Sequence, residues 1–351
     1  MTSDAWEKSL TGAVIGGRTL VSYLGGGNFG LVFEGAGSSA PRRAAVKLLP
    51  PVSDADATAE FQREGDLLRR AFGASRVVSI FDSGVHTVNA QLTGGITVPI
   101  SIHFHTLELA DGGSLEKLVA HRDRVSLMER LKLWRDAVLG IHQLHMRQIV
   151  HRDLKSNNLL LFPAAHNETI CKIGDLGRGR HLASPAIHHI HEYMAGRGDF
   201  NFAPPEFLFL QGKDTPEAQR QADLYGLASL LFELVCGVGL TSVALGPGPD
   251  IFQQNLHNLR LGQEVDLSGL RTNFSSAAEL FRQELPRTIA GDLTNLLLQL
   301  SNPVPGERAP LRRQGGRMVR QNFNLEWLLR RCDILVSRLA VSRERRRVRS
   351  A

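Results

Sequence analysis

The feature that most constrains this chain is a single change of hydrophobic period near Asp111-Gly112-Gly113-Ser114. Before that turn, short apolar stretches of strand type recur at Leu20–Leu24, Leu31–Glu34, Arg43–Leu48, Val77–Val85 and Ile100–Leu109. One helical segment interrupts them. Ser53-Asp54-Ala55-Asp56 supplies capping and acidic first-turn residues, and Phe61, Leu67, Leu68 and Phe72 follow at helical spacing. Asn89–Pro99 reads as a glycine-containing loop. Beyond the turn the period is helical, over Leu115–Ala120, Leu127–His145, Asp223–Val235, Ala290–Ser301 and Leu325–Leu339. Strands gathered before helices predict an α+β fold, not an alternating α/β one. The expected division is an N-terminal extension at 1–18, a small β-rich lobe with one helix at 19–110, a larger α-helical lobe at 111–312, and a C-terminal helix with a basic tail at 313–351. No internal repeat is evident.

Composition narrows the class. In 351 residues, 22% are charged, which suits a soluble globular protein. The first residues, MTSDAWEKSL, lack the apolar core of a secretory signal. The longest apolar run, Leu224 to Leu245, contains Tyr225, Glu233 and glycines, and reads as a buried central helix, not a membrane span. Cys171, Cys236 and Cys332 are widely spaced and form no CxxC pair, which excludes a disulfide frame or zinc ribbon and suits a reducing, cytoplasmic setting. Much of the formal charge of +6 sits in Arg338–Arg349. That tail reads as a solvated charge run at the end of an amphipathic helix, with contact to acidic partners, nucleic acid or anionic lipid as the functional alternative.

Four motifs stand out. The stretch LGGGNFGLVFEG at 24–35 spaces glycines as Gly25-x-Gly27-x-x-Gly30-x-Val32. Glycines without Cβ let backbone N–H groups approach an anion. A strand, not a helix, follows the third glycine, which argues against a dinucleotide fingerprint. The stretch IVHRDLKSNNLL at 149–160 holds His151-Arg152-Asp153, Lys155 and Asn158. Asp175-Leu176-Gly177 and then Pro204-Pro205-Glu206 come next in order. Together these motifs resemble those of a eukaryotic-like serine/threonine protein kinase of bacterial type, from about Thr19 to Arg308. The resemblance implies the bilobed protein-kinase-like fold, with ATP and magnesium (or manganese) as cofactors and serine/threonine-bearing proteins as substrates.

The resemblance also implies roles. Gly25, Gly27 and Gly30 would cover the phosphates, and Lys47, in Ala44-Ala45-Val46-Lys47, would hold them with Glu64 as its partner. Glu60, one turn away, is the weaker candidate. Leu24, Val32, Ala45 and Leu160 would wall the adenine, Glu108–Ala110 would offer hinge backbone, and Leu107 would be the gatekeeper. Asp153 would take the acceptor hydroxyl's proton, and Lys155, the serine/threonine-type lysine, would neutralise the transferring phosphate. Asn158 and Asp175 would hold the metal. His151 reads as structural. Asp223 would anchor the catalytic-loop backbone, and Arg308 would pair with Glu206.

Three departures from the pattern stand out. Leu176 replaces a usual phenylalanine, a slot that another apolar residue can fill. Asp199 stands where a threonine usually bridges the catalytic aspartate and lysine. Between Asp175 and Glu206 only Ser184 and Tyr193 could carry a phosphate for Arg152 to read. The same loop holds His181, His188, His189 and His191, which read as solvated loop residues before a metal site. The alternatives to an active kinase are a pseudokinase acting as a nucleotide-binding scaffold and a small-molecule phosphotransferase. The intact set Lys47, Glu64, Asp153, Asn158 and Asp175 speaks against the first. The Pro-Pro-Glu segment and Arg308 speak against the second.

Overall fold

The computed structural model describes residues 9–27, 30–50, 53–91, 97–165, 168–184, 199–314, 317–320 and 324–350. The chain divides into two compact units. The first holds the residues up to Asp111 together with Gly174–Gly179, and the second holds Gly112–Ile173 and the residues from Arg180 onward.

The first unit is a six-stranded antiparallel sheet of β1 (Val14–Ile15), β2 (Arg18–Gly27), β3 (Gly30–Ala36), β4 (Arg43–Leu49), β5 (Ile80–Gln91) and β6 (Thr97–Leu107), in the order β1-β2-β3-β4-β6-β5. Helix α1 (Ala55–Arg70) lies between β4 and β5 in sequence, and Asp54 caps it by accepting from the Ala57 N–H. Alternation explains the sheet's two faces. Val46 and Leu48 of β4, with Ile102 and Phe104 of β6, join Leu10, Ile15, Leu20, Leu31 and Phe33 in one apolar core. The intervening residues of β4 and β6 face the other way.

Several boundaries differ from the sequence reading. Residues 9–18, read as part of an extension, contribute β1 and the core residues Leu10 and Ile15. Val77, Val78 and Ser79 lie outside β5, which begins at Ile80. The stretch Asn89–Pro99 is not simply a loop, because β5 and β6 continue pairing through Asn89↔Pro99, Ala90↔Val98 and Gln91↔Thr97. Apolar Val88, Val98 and Ile100 sustain the strand alternation there, and the glycines that suggested a loop fall at 94–95, outside the described residues.

The second unit is mainly helical: α2 (Leu115–Val119), α3 (Leu127–Met146), α4 (Pro205–Leu208), α5 (Pro216–Cys236), α6 (Leu240–Leu245), α7 (Gly248–Arg260), α8 (Arg271–Gln283), α9 (Arg287–Leu300) and α10 (Glu326–Ser350). Short antiparallel pairs are formed by β7 (Ile149–Val150) with β10 (Arg180–His181), β8 (Leu159–Pro163) with β9 (Thr169–Ile173), and β11 (Leu311–Gln314) with β12 (Arg317–Arg320). A capping box of Ser126 and Glu129 starts α3. Helix α5 is buried on all sides from Gln221 to Val235, as expected of a central helix. The Trp134 indole of α3 donates to the Leu227 carbonyl of α5 at 2.8 Å.

The apolar run Leu224–Leu245 is not one helix. Gly237, at φ +83°, ends α5 in the left-handed region, and α6 begins three residues later. Helices α7 and α8 escaped the sequence reading because Gly246-Pro247-Gly248 breaks the pattern and their apolar stripes are narrow. Among the described residues no helix is long and apolar enough to cross a membrane.

Candidate active site

In the first unit the glycine run is the tip of the β2–β3 hairpin. Gly25 pairs with Val32, Gly26 with Leu31 and Gly27 with Gly30. Gly30 has φ +127°, and a Cβ there would stand 2.5 Å from the Leu48 carbonyl oxygen, so only glycine fits. Lys47 lies on β4, opposite Val32 on one side and His105 on the other. Its ammonium is 2.6 Å from Glu64 Oε2 of α1 and 3.6 Å from Asp175 Oδ1. Glu64, not Glu60, is thus the lysine's carboxylate partner. Burial works against the Lys47 ammonium, but the Asp175 and Glu64 carboxylates more than offset it and hold its pKa above the ordinary value. Glu64 is pushed up to about 7, first by burial and then by the Asp175 charge, against the pull of Lys47. Asp175 itself has φ +49°, an unusual conformation for a residue with a side chain. The segment around it is tied to α1, because Arg63 donates to the Gly177 carbonyl at 3.2 Å.

The apolar positions near this lysine sort by strand. Ala45 pairs with Leu107, and both are buried, whereas Leu24 is exposed. Glu108 follows β6 and is held by Ser79, through its N–H to the Ser79 carbonyl (2.9 Å) and its carboxylate from the Ser79 N–H (3.3 Å). Ala110 is partly exposed. Leu160 belongs to the second unit, on β8, where it bridges to Ser114. Leu176 is fully buried.

In the second unit the loop 151–158 hangs from one carboxylate. Asp223 of α5 accepts from the His151 N–H (3.0 Å) and the Arg152 N–H (2.8 Å). His145 at the end of α3 donates to it through Nε2 at 2.8 Å. Burial penalises the Asp223 charge, but His145 and the backbone N–H groups outweigh it and hold the carboxyl below the ordinary aspartate range. Arg152 sits at φ +70°, so this loop too carries backbone strain. Asn158 donates to the Asp153 carbonyl (2.7 Å) and to Asp153 Oδ2 (3.2 Å), which turns its amide oxygen away from Asp153. Lys155 lies between two acids, 3.5 Å from Asp153 and 3.6 Å from Asp199.

Further residues hold this loop without having been singled out in the sequence. Glu233 of α5 accepts from the Ser156 hydroxyl (2.5 Å) and N–H (3.1 Å). Burial pushes its carboxyl up to about 7. Ser156 lies within the 149–160 motif and His145 just before it, so proximity was a usable signal for both. Glu233 offered only an acid inside an apolar run. Arg180 pairs with Asp214 and donates to the Ser184 carbonyl at 2.8 Å. Arg308 is fully buried and makes a two-pronged bond to Glu206, at 2.7 and 2.6 Å. Tyr193, His188, His189 and His191 lie outside the described residues, whereas His181 pairs with Ile149 in β10. Among the described residues no cluster of three or more His, Cys, Asp or Glu forms a metal cage.

The family model of the protein kinase domain matches residues 18–313. The chain is 25% identical over 248 residues to the serine/threonine-protein kinase PknJ of Mycobacterium tuberculosis, covering 70% of this chain and 38% of that protein. With the serine/threonine-protein kinase PrkC of Bacillus subtilis it shares 27% identity over 231 residues, 65% of this chain and 32% of PrkC. With myosin-IIIa of Mus musculus it shares 26% over 262 residues, 74% of this chain and 14% of the myosin. The chain therefore spans between about a seventh and two fifths of the length of these relatives.

Proposed function

The chain belongs to the protein kinase family, and on that premise we propose that it transfers the γ-phosphoryl group of ATP to serine or threonine hydroxyls of protein substrates. The observation that carries the reading is Lys47, a buried ammonium held by Glu64 at 2.6 Å with Asp175 at 3.6 Å. A buried lysine aimed by one carboxylate is a preformed cation for phosphate oxygens, and phosphoryl transfer depends mainly on such positioning. Gly25, Gly27 and Gly30 present backbone N–H groups to the phosphates. Leu24, Val32, Ala45 and Leu160 give adenine apolar contact, and Glu108–Ala110 offer it backbone hydrogen bonds.

Asp153 accepts the acceptor hydroxyl's proton and orients its oxygen. Lys155 stabilises charge on the transferring group, and its presence supports serine/threonine acceptors, as does the similarity to the serine/threonine-protein kinases PknJ and PrkC. Asn158 and Asp175 each offer an oxygen of the kind a hard divalent cation takes, the Asn158 amide hydrogens being spent on Asp153. Magnesium or manganese, when bound, neutralises charge on the phosphate oxygens. A cytoplasmic setting belongs to the same proposal and is supported by three unpaired cysteines. Contact of the arginine-rich tail with acidic partners rests on its charge alone.

The test is incubation of the purified chain with labelled ATP, magnesium and generic protein substrates. Lys47→Met and Asp153→Asn should each lower transfer by roughly tens to thousands of fold. Phosphoamino-acid analysis should return phosphoserine or phosphothreonine. Nucleotide binding without transfer to any protein would leave a scaffold in place of the enzyme, and predominant phosphotyrosine would overturn the acceptor assignment.

A further inference from the structure

The face of the sheet that carries Lys47 carries a second polar side chain at the same level. In the β4–β6 pairing Lys47 stands directly opposite His105, so both side chains leave the sheet on the side of α1. Each reaches that helix. Lys47 takes the Glu64 carboxylate, and His105 Nε2 lies 2.8 Å from the backbone carbonyl of Phe61, one turn earlier. The imidazole also stacks on the Phe61 ring, with centroids 3.9 Å apart and planes 8° from parallel. It fits because residue 65 is glycine, where a Cβ would stand 2.6 Å from His105 Cε1. Phe61, Glu64 and Gly65 share one helix face by their spacing of three and four.

A carbonyl oxygen only accepts, so Nε2 carries a proton and donates it to Phe61. His105 Nδ1 is buried and makes no hydrogen bond of good geometry among the described residues, although the Phe104 backbone lies near the ring. A ring kept only to fill space would be better as phenylalanine or leucine, which bury no unpaired nitrogen. Burial, then the nearby Lys47 and Arg69 charges, lower the pKa of His105 to about 4, so the ring stays neutral at working pH.

We propose that His105 is a positioning residue for phosphoryl transfer: its bond to the Phe61 carbonyl, seated in the space left by Gly65, sets the height of α1 on the sheet and so holds Glu64 against Lys47. The inference rests on the kinase reading of the Lys47 site. The ion pair holds α1 at Glu64, and near the helix end Arg69 reaches Ser83 of β5. The directional His105 bond one turn before Glu64 fixes the helix beside the ion pair itself. The device is local to this chain's residues at 61, 65 and 105.

The experiment uses the full chain, with steady-state kinetics for ATP and for a protein acceptor, beside thermal unfolding. His105→Leu should lower kcat/KM for ATP about tenfold or more while leaving KM for the acceptor within about twofold. His105→Gln, whose amide can reach the same carbonyl, should recover most of that loss. Gly65→Ala should reproduce the His105→Leu defect by displacing the ring, although alanine is the better helix former, and it carries the test if His105→Leu does not fold. In a Glu64→Gln background His105→Leu should add less than about threefold, because the group it positions is gone. An active wild type with His105→Leu and Gly65→Ala at wild-type kcat/KM overturns the role of His105 alone. So does an effect that multiplies fully with Glu64→Gln, or leucine and glutamine variants that behave alike. A wild type with no transfer at all removes the kinase reading and this inference together.

Discussion

Arg308 offers a quantitative test of what holds the second unit together. Its guanidinium is fully buried and makes four hydrogen bonds: two to the Glu206 carboxylate, one to the Asn302 carbonyl at 2.9 Å and one to the Gln221 carbonyl at 3.0 Å. The Tyr225 ring lies 5.0 Å from its central carbon. Arg308→Met keeps most of the volume and removes every donor. The loss strands one buried carboxylate and the Asn302 carbonyl, while the Gln221 carbonyl keeps its place in the α5 ladder; an unpaired neutral group costs about 1–3 kcal/mol and a carboxylate more. Local relaxation returns part of this, so the expected loss is about 3–5 kcal/mol, the range for breaking a buried pair. Glu206→Leu should cost a similar amount by stranding the guanidinium. The double variant Glu206→Leu/Arg308→Met leaves no buried charge and should cost less than the two singles together by at least about 2 kcal/mol. Urea unfolding followed by tryptophan fluorescence, to which Trp134 buried in this unit contributes, measures all four forms, with a constant m-value as the check on comparability. Single losses under about 1 kcal/mol, or a double variant equal to the sum of the singles, would refute the reasoning.

Two further outcomes follow from the loop that carries Asp153. With Lys155 already 3.6 Å from Asp199, the wild type should need no loop phosphate. Phosphatase-treated protein and Ser184→Ala should therefore keep most of the initial rate, and Asp199→Thr should keep or raise it; an inactive Ser184→Ala protein rescued by Ser184→Glu would show the opposite. Glu233, raised from 4.5 to about 7 by burial, binds its proton more tightly folded than unfolded, so it contributes stability below about pH 4.5 that is lost as pH rises to 7. Glutamine does not titrate, so the stability of Glu233→Gln relative to wild type should rise by up to about 3 kcal/mol between pH 4.5 and 8 in parallel urea titrations, and a flat difference would exclude the buried-charge account.

Residue type and spacing marked the candidate residues, and the family resemblance supplied their expected roles. A glycine run that turns between strands, a lysine on the next strand, an acid on the following helix and the 151–158 loop are all local patterns, and their chemistry is set by short-range sterics and charge. The division into a strand-rich and a helix-rich part was equally legible, because periods of 2 and 3.6 survive in any sequence with one buried face. Tertiary structure decided what no local period carries. Gly174–Gly179 join the first unit although the chain on both sides belongs to the second. His105 finds the Phe61 carbonyl 44 residues away, and Asp223 finds His145 across 78. The sequence marks such residues only as isolated polar groups among apolar neighbours. Their partners are chosen when packing removes water, because a buried polar group must then take whatever donor or acceptor the fold has brought within about 3 Å.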